Sequence, residues 1–275
     1  MLEFYGGRGD EPMSMMEFAV QVAREAGSIL RQHLGRVSDI AHKSSQLDLV
    51  TEVDVLSEQH IKERIAAHYP RHDILAEESG YQKAESEYRW LVDPLDGTTN
   101  YAHGYPFFAV CLAVEHEGEI ILGVVYDPIR EELFAAEKDG GATLNGRPIR
   151  VSRVSRLVDS LLVTGFPYNV RSDPRSIEYF FRFMNRAQAI RRDGSAALDM
   201  CYVACGRFDG FWEMGLNPWD MAAGQLIIEE AGGRVTKFDG RRFNVYEPEV
   251  LASNGLIHEE MSAVLTGERS SAEAE

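Results

Sequence analysis

Trp90-Leu91-Val92-Asp93-Pro94-Leu95-Asp96-Gly97-Thr98-Thr99-Asn100-Tyr101 is the stretch on which the reading of this chain turns. Its apolar start makes a short strand that runs into Asp93, and Pro94, with no N–H to give, is expected to stop the ladder there. Asp96 follows three residues after Asp93, so a tight turn would aim both carboxylates into one pocket. Gly97 and Thr98 then offer backbone N–H groups and a hydroxyl where a phosphate could sit. Two carboxylates beside a phosphate cradle repel their own ligand unless divalent cations stand between them. That is the arrangement of a metal-assisted phosphate-ester hydrolase. Asp, Pro and Gly are also the ordinary formers of a surface β-turn, so the motif has to be weighed with its surroundings.

Those surroundings repeat the theme. Leu49-Val50-Thr51-Glu52-Val53-Asp54 and Ala76-Glu77-Glu78-Ser79-Gly80 lie upstream, and Asn217-Pro218-Trp219-Asp220-Met221-Ala222-Ala223-Gly224 lies downstream. Each puts an acid at the edge of an apolar element. In these segments the chain resembles the inositol monophosphatase family, and in particular its bacterial-type, lithium-sensitive, magnesium-dependent inositol-1-monophosphatases. The family's D-P-[IL]-D-G-T motif is Asp93 to Thr98, its glutamate pair is Glu77-Glu78, and its W-D-x-A-A-G motif is Trp219 to Gly224. Ala76 stands where a glycine is often found. Gly194-Ser195-Ala196-Ala197-Leu198-Asp199 and Asp209-Gly210-Phe211-Trp212-Glu213 also look like family segments, so the resemblance runs from about residue 15 to about residue 265.

The resemblance implies a mixed α/β fold, a layered αβαβα sandwich of the inositol monophosphatase/fructose bisphosphatase type with the active site between its halves. It implies two or three Mg²⁺ ions, the first held by Glu77, Asp93 and the carbonyl of Leu95. Asp93 would bridge to a second ion held by Asp96 and Asp220. Glu77 and Thr98 would orient a metal-activated water as nucleophile, with Asp54 steadying Thr98. The phosphate would rest on the N–H groups of Gly97 and Thr98, while Gly194, Ser195, Ala196 and Glu213 contact a polyol such as myo-inositol. A homodimer is also implied, and the β-rich stretch from Phe107 to Val151 is expected to offer it apolar surface.

Simpler roles stand beside these. Asp54 and Asp220 each sit where a helix N-cap would, Glu213 could end a strand in solvent, and Lys43 could be an exposed lysine rather than a site cation. Glu78 is expected to point away from Glu77 and to serve the structure. The D-x-x-D spacing does not fit the D-x-D nucleophile motif of haloacid-dehalogenase-type phosphatases. Fructose-1,6-bisphosphatase, histidinol-phosphatase and bisphosphate nucleotidase activities remain as alternatives within the superfamily. A regulatory binding protein on the same fold is the alternative from another class; it would be free to lose Glu77, Asp93, Asp96 or Asp220, and all four are present.

Composition bounds the rest. The 275 residues carry 28 basic against 44 acidic side chains, a formal charge of −16 that disfavours nucleic acid or an anionic membrane as a direct partner. Cys111, Cys201 and Cys205 make no CxxC pair, which fits a reducing cytoplasm. No apolar run is long enough to span a bilayer.

The pattern divides the chain into a loose leader (1–13), an α+β half with the metal-binding motifs (14–153), an α/β half (154–266) and a disordered tail (267–275). Ser14 and Glu17 form a capping box for a helix whose inner face is Phe18, Val22, Ala26, Ile29 and Leu30, with Gly35 closing it. A hairpin-like stretch with Lys43 near its turn follows, then a helix striped by Ile61 and Ile65 that ends at Pro70. Phe107 to Glu115, Ile120 to Tyr126 and Leu133 to Glu137 read as an antiparallel meander. After it come a strand at Leu161 to Thr164, a helix from Asp173 to Arg186, a strand at Ala189 to Arg191, a helix from Ser195 to Cys205, a strand at Asp209 to Glu213 and a helix from Asp220 to Ala231.

Overall fold

A computed structural model describes residues 13–36, 40–42, 49–167, 170 and 173–267. Helix α1 (Met15–His33) starts at the expected capping box: Glu17 N–H donates to Ser14 Oγ at 3.1 Å, and Ser14 N–H to Glu17 Oε2 at 2.9 Å. Strands β1 (Ile40–His42) and β2 (Leu49–Thr51) pair antiparallel, and α2 (Glu52–His68) follows from a Thr51 cap. Lys43, between those strands, lies outside the described residues, as do most of the leader (1–12) and most of the tail (268–275).

The first large sheet takes in β3 (Asp73–Ala76), β4 (Gly80–Gln82) and β5 (Tyr88–Asp96). After the short helix α3 (Thr98–Ala102) it gains the meander β6 (Ala109–His116), β7 (Glu119–Asp127), β8 (Glu132–Glu137), β9 (Gly141–Leu144) and β10 (Arg147–Pro148). Its order is β10-β9-β8-β7-β6-β5-β3-β4, antiparallel except for β3 beside β5. The second half contributes β11 (Leu161–Thr164), α4 (Arg175–Met184), β12 (Ala189–Arg191), α5 (Ala196–Ala204), β13 (Gly210–Met214) and α6 (Pro218–Glu230). It ends with β14 (Arg234–Thr236), β15 (Glu249–Ser253) and α7 (His258–Thr266). Its five-stranded sheet runs β12-β11-β13-β15-β14, the first three strands parallel and the last two pairings antiparallel.

Three apolar clusters define the layers. Phe18, Val22 and Leu30 of α1 and Ile61 and Ile65 of α2 cover one face of the large sheet, against Trp90, Leu112 and Val124. Leu91, Phe107, Cys111 and Phe134 on its other face pack with Met200 and Cys201 of α5 and Ile227 and Ile228 of α6, and the same cluster continues to Phe211 and Val250 of the small sheet. Trp212 and Leu251 on the far face of that sheet meet Phe183 of α4 and Met261 of α7. The order is therefore helices, sheet, helices, sheet, helices, the expected αβαβα sandwich.

The central helix pair is held very close to the large sheet. A Cβ on Gly123 of β7 would stand 2.9 Å from the Cα and carbonyl oxygen of Ala223, so glycine there lets α6 lie on the strand. Both faces of the meander are thus covered by helices of the same chain. Along β6, β7 and β8 the expected apolar surface is used up internally, because alternate side chains already have their own layers, while Leu144, Ile149 and Val151 further on are only partly buried.

Candidate active site

The opening motif is not a turn. Strand β5 continues through Pro94, with Asp93 opposite Cys111 and Asp96 opposite Ala109. Three steps on β5 thus span two on β6, so the strand carries one extra residue, a bulge. In a regular strand an odd separation would send the two side chains to opposite faces; the bulge returns both aspartates to the same side. Pro94 is accommodated because the irregularity is where a missing N–H costs no ladder bond. The Pro94 carbonyl instead accepts Ser57 Oγ at 3.1 Å, and Asp93 Oδ1 accepts the Leu95 N–H at 2.9 Å.

Gly97 follows with φ +92°, a left-handed turn that L residues rarely adopt. A Cβ there would also lie 3.1 Å from the Phe107 carbonyl oxygen and 3.3 Å from that of Gly194. Thr98 opens α3 with its hydroxyl 3.1 Å from the Leu95 carbonyl and 3.2 Å from Asp54 Oδ1, and its single proton serves one of them at a time. Asp54 Oδ2 accepts the Thr51 N–H at 2.9 Å and the Thr51 hydroxyl at 2.5 Å. Asp54 is thus both the capping-box acid of α2 and the support behind Thr98, and it lies outside the pocket lining.

The pocket itself, about 160 Å³, is lined by Glu77, Asp93, Leu95, Asp96, Gly97 and Thr98 from the first half, and by Gly194, Ser195, Ala196, Glu213 and Asp220 from the second. Every residue singled out in the sequence for metal or substrate contact is in this set. Asp220 enters at the first turn of α6, where Asn217 N–H donates to its Oδ2 at 2.8 Å, so its capping role and its place in the pocket coexist. Asp96 Oδ2 accepts the Ala197 N–H at 2.9 Å and the Ser195 hydroxyl. Ser195 therefore turns toward Asp96, in addition to capping α5 through Leu198 N–H. Glu78 is absent from the lining; its N–H donates to Glu58 Oε2 at 2.7 Å.

The electrostatics of this cluster are unfavourable for the bare carboxylates. Burial first, then the charges of Glu77, Asp96 and Asp220, push Asp93 well above the usual carboxylate range. Burial and the charge of Glu77 do the same to Asp220. Asp96 reaches only about 6, because hydrogen bonds from Ser195 and Ala197 oppose its burial. Glu213 is pushed up to about 8, chiefly by burial. Mutual repulsion among buried acids is relieved by a cation or by protons.

A larger cavity of about 690 Å³ opens at the other end of α6, and two of its acids are engaged with their own partners. Glu230 accepts N–H bonds from Asp139 and Gly141, and Glu119 pairs with Lys138. Among the described residues, the one group of three metal-ligating side chains with ligand atoms all within 4.8 Å is Glu87, His116 and Glu117, at a surface edge of the large sheet. No three of the pocket acids bring ligand atoms that close together.

Sequence reasoning missed Gly165, Phe166, Pro167 and Arg192, which also line the pocket. A signal existed. They follow the carboxyl ends of β11 and β12, which run parallel to β13, and ligands of open α/β sheets gather at such ends.

The sequence profile of the inositol monophosphatase family matches residues 11–272. The chain belongs to the inositol monophosphatase family. An inositol-1-monophosphatase of Synechocystis is 45% identical over 252 residues, 91% of this chain and 88% of that protein. The Nus factor SuhB of Escherichia coli is 40% identical over 261 residues, 94% and 98% of the two chains. The solved inositol monophosphatase of Anabaena superposes with a TM-score of 0.83 at 42% identity, covering 94% of this chain and 97% of that one. This family member is accordingly a phosphatase with the family fold, and its pocket acids form a cluster that could bind metal. Among the described residues no helix is long and apolar enough to cross a membrane.

Proposed function

We propose that the chain hydrolyses myo-inositol monophosphates to inositol and phosphate in a Mg²⁺-dependent reaction. The observation that carries this is the convergence of Glu77, Asp93, Asp96 and Asp220, from both halves of the fold, on one pocket beside the N–H groups of Gly97 and Thr98. The donor set fits Mg²⁺: it offers carboxylate and carbonyl oxygen, with no histidine or cysteine among the described residues of the lining. Glu77, Asp93, Asp96, Asp220 and the Leu95 carbonyl would hold the two or three ions. When bound, the ions would supply a water of lowered pKa and charge stabilisation for the leaving oxygen.

The protein groups do the rest. Thr98 and Glu77 orient the attacking water, and Asp54 fixes the Thr98 hydroxyl from behind. The Gly97 and Thr98 N–H groups hold the phosphate without adding charge. Glu213, with Gly194 and Ala196, faces the alcohol half of the substrate. Ser195 serves the metal side instead, through its hold on Asp96. A cytoplasmic location and a homodimer rest on the family resemblance and on the cysteine usage alone.

The test is a panel of phosphomonoesters with EDTA and with Mg²⁺ restored, run on the wild type and on Asp96→Asn. Myo-inositol 1-phosphate should be turned over only with Mg²⁺, and the variant should lose orders of magnitude in turnover, the scale of lost metal catalysis. Undiminished hydrolysis by the chelated enzyme or by the variant would refute the reading.

A second reading is favoured by the name of the Escherichia coli relative, a Nus factor, at 40% identity. It is a regulatory binding role on the same fold, and it predicts that Asp96→Asn still complements a strain lacking that relative. Failure of both wild type and variant to complement would dismiss it.

A further inference from the structure

Gly165 follows the last residue of β11, and Glu213 lies within β13. The parallel register sets Thr164 opposite Trp212, so Gly165 and Glu213 come next, side by side, where the two strands reach the pocket. The three atoms nearest to a Cβ built on Gly165 are all of the Glu213 carboxyl: Cδ, Oε1 and Oε2. Each would lie well inside 3.0 Å, closer than a Cβ comes to its neighbours. The carboxyl therefore lies directly on the Gly165 backbone.

No backbone demand accounts for this glycine. Gly97 and Gly194, also in the lining, have φ of +92° and +88°, where L residues are strained. Gly165 is outside that region, so its backbone would accept alanine. Glu213, 8% exposed, makes no side-chain hydrogen bond among the described residues; burial and the charges of Arg192 and Asp96 are what act on it. Its carboxyl is thus placed by packing, and the surface it packs on is the bare Cα of Gly165. A Cβ there would force the carboxyl to move by about 1 Å within a pocket of only about 160 Å³. A misplacement of that size in a positioning group can cost roughly a hundredfold.

We propose that Gly165 is a positioning residue for Glu213: by leaving out a Cβ it seats the carboxyl against the end of β11, where it meets the hydroxyls of a ring polyol and leaves room for the ring. This rests on the hydrolase reading above and adds to it the residue that sets polyol selectivity. Gly165 acts through Glu213 alone. The phosphate, on the N–H groups of Gly97 and Thr98, does not depend on it.

The test is a double-mutant cycle read on two substrates with Mg²⁺ present, at a pH above about 8, where the Glu213 carboxyl is charged. Gly165→Ala should raise KM for myo-inositol 1-phosphate by about ten- to a hundredfold, the scale of charge-assisted hydrogen bonds, with little change in kcat. p-Nitrophenyl phosphate, which has no polyol hydroxyls, should be hydrolysed as by the wild type. In a Glu213→Ala background there is no carboxyl to displace, so adding Gly165→Ala should change neither KM. A wild-type KM for myo-inositol 1-phosphate in Gly165→Ala overturns the proposal. Equal losses on both substrates overturn it too, as does a loss just as large in the Glu213→Ala background, since Gly165 would then serve the fold or the metal site. If Gly165→Ala melts early and the double variant does not, the clash is with Glu213 and the proposal stands; if both melt early, it falls. Absence of Mg²⁺-dependent hydrolysis of myo-inositol 1-phosphate by the wild type would instead bring down the hydrolase reading itself.

Discussion

The backbone N–H of Ala197 donates to Asp96 Oδ2 at 2.9 Å, across 101 residues of chain. With the Ser195 hydroxyl on the same oxygen, the start of α5 in the second half orients an acid of the first half. The geometry of the proposed metal site is thereby made conditional on these two segments being packed together. These bonds also hold Asp96 near 6 when burial alone would push it higher.

Ser195→Ala should therefore act on the metal and not on the alcohol. Loss of a hydrogen bond to a charged group costs about 1.5–3 kcal/mol, so the Mg²⁺ concentration for half-maximal rate should rise by about tenfold or more. The acid limb of the pH–rate profile should move to higher pH, because Asp96 loses a bond to its ionised form. Ser195→Thr keeps the hydroxyl and should restore most of both. An unchanged Mg²⁺ requirement with a raised substrate KM would return Ser195 to a substrate role.

Metal should stabilise the fold more at neutral than at acid pH. In the folded chain Asp96 titrates at about 6, against 3.8 ordinarily. A carboxyl whose folded pKa is raised holds a proton that the unfolded chain has already lost, so its contribution to stability falls as pH rises from about 4 to about 6. Asp93 and Asp220, pushed further up, extend the window to higher pH. Mg²⁺ at about a hundred times its Kd should raise Tm by roughly 5–10 °C above that window and by much less near pH 5. Equal shifts at both pH values, seen by calorimetry with EDTA as reference, would mean the acids are not the ligands.

Glu213→Gln should show a penalty that depends on pH. Glu213 is pushed up to about 8, so near neutrality the carboxyl is mostly protonated and glutamine resembles it. As pH rises through about 8 the wild type gains a charged acceptor for polyol hydroxyls that the variant lacks. The kcat/KM deficit on myo-inositol 1-phosphate should grow across that range toward roughly tenfold or more, and p-nitrophenyl phosphate should not show it. The same deficit on both substrates would place Glu213 in folding or in the metal site.

Lithium should inhibit in the millimolar range, by occupying a site among Asp93, Asp96 and Asp220 with phosphate still bound. Steady-state kinetics with increasing lithium chloride, and sodium chloride as control, read this directly. Insensitivity would place the chain on a less sensitive branch of its family.

The sequence by itself picked out residues that line one pocket, because a metal site of the kind proposed needs acids at fixed places on the chain and such places leave motifs. Asp93, Asp96, Gly97 and Thr98 lie within six residues, and Asp220 and Glu213 within eight. It also determined most elements, since the Ser14–Glu17 box and the apolar stripes are local facts. Only the tertiary structure decided how Asp93 and Asp96 come to share a face, because a bulge is defined by the partner strand and not by the strand that carries it. Tertiary packing likewise set Ser195 against Asp96 and brought Arg192 into the pocket, while Asp54 stands behind Thr98 as the family resemblance implied. Each of these depends on distances between residues far apart in the chain, which packing of the two sheets about α5 and α6 fixes and local sequence does not encode.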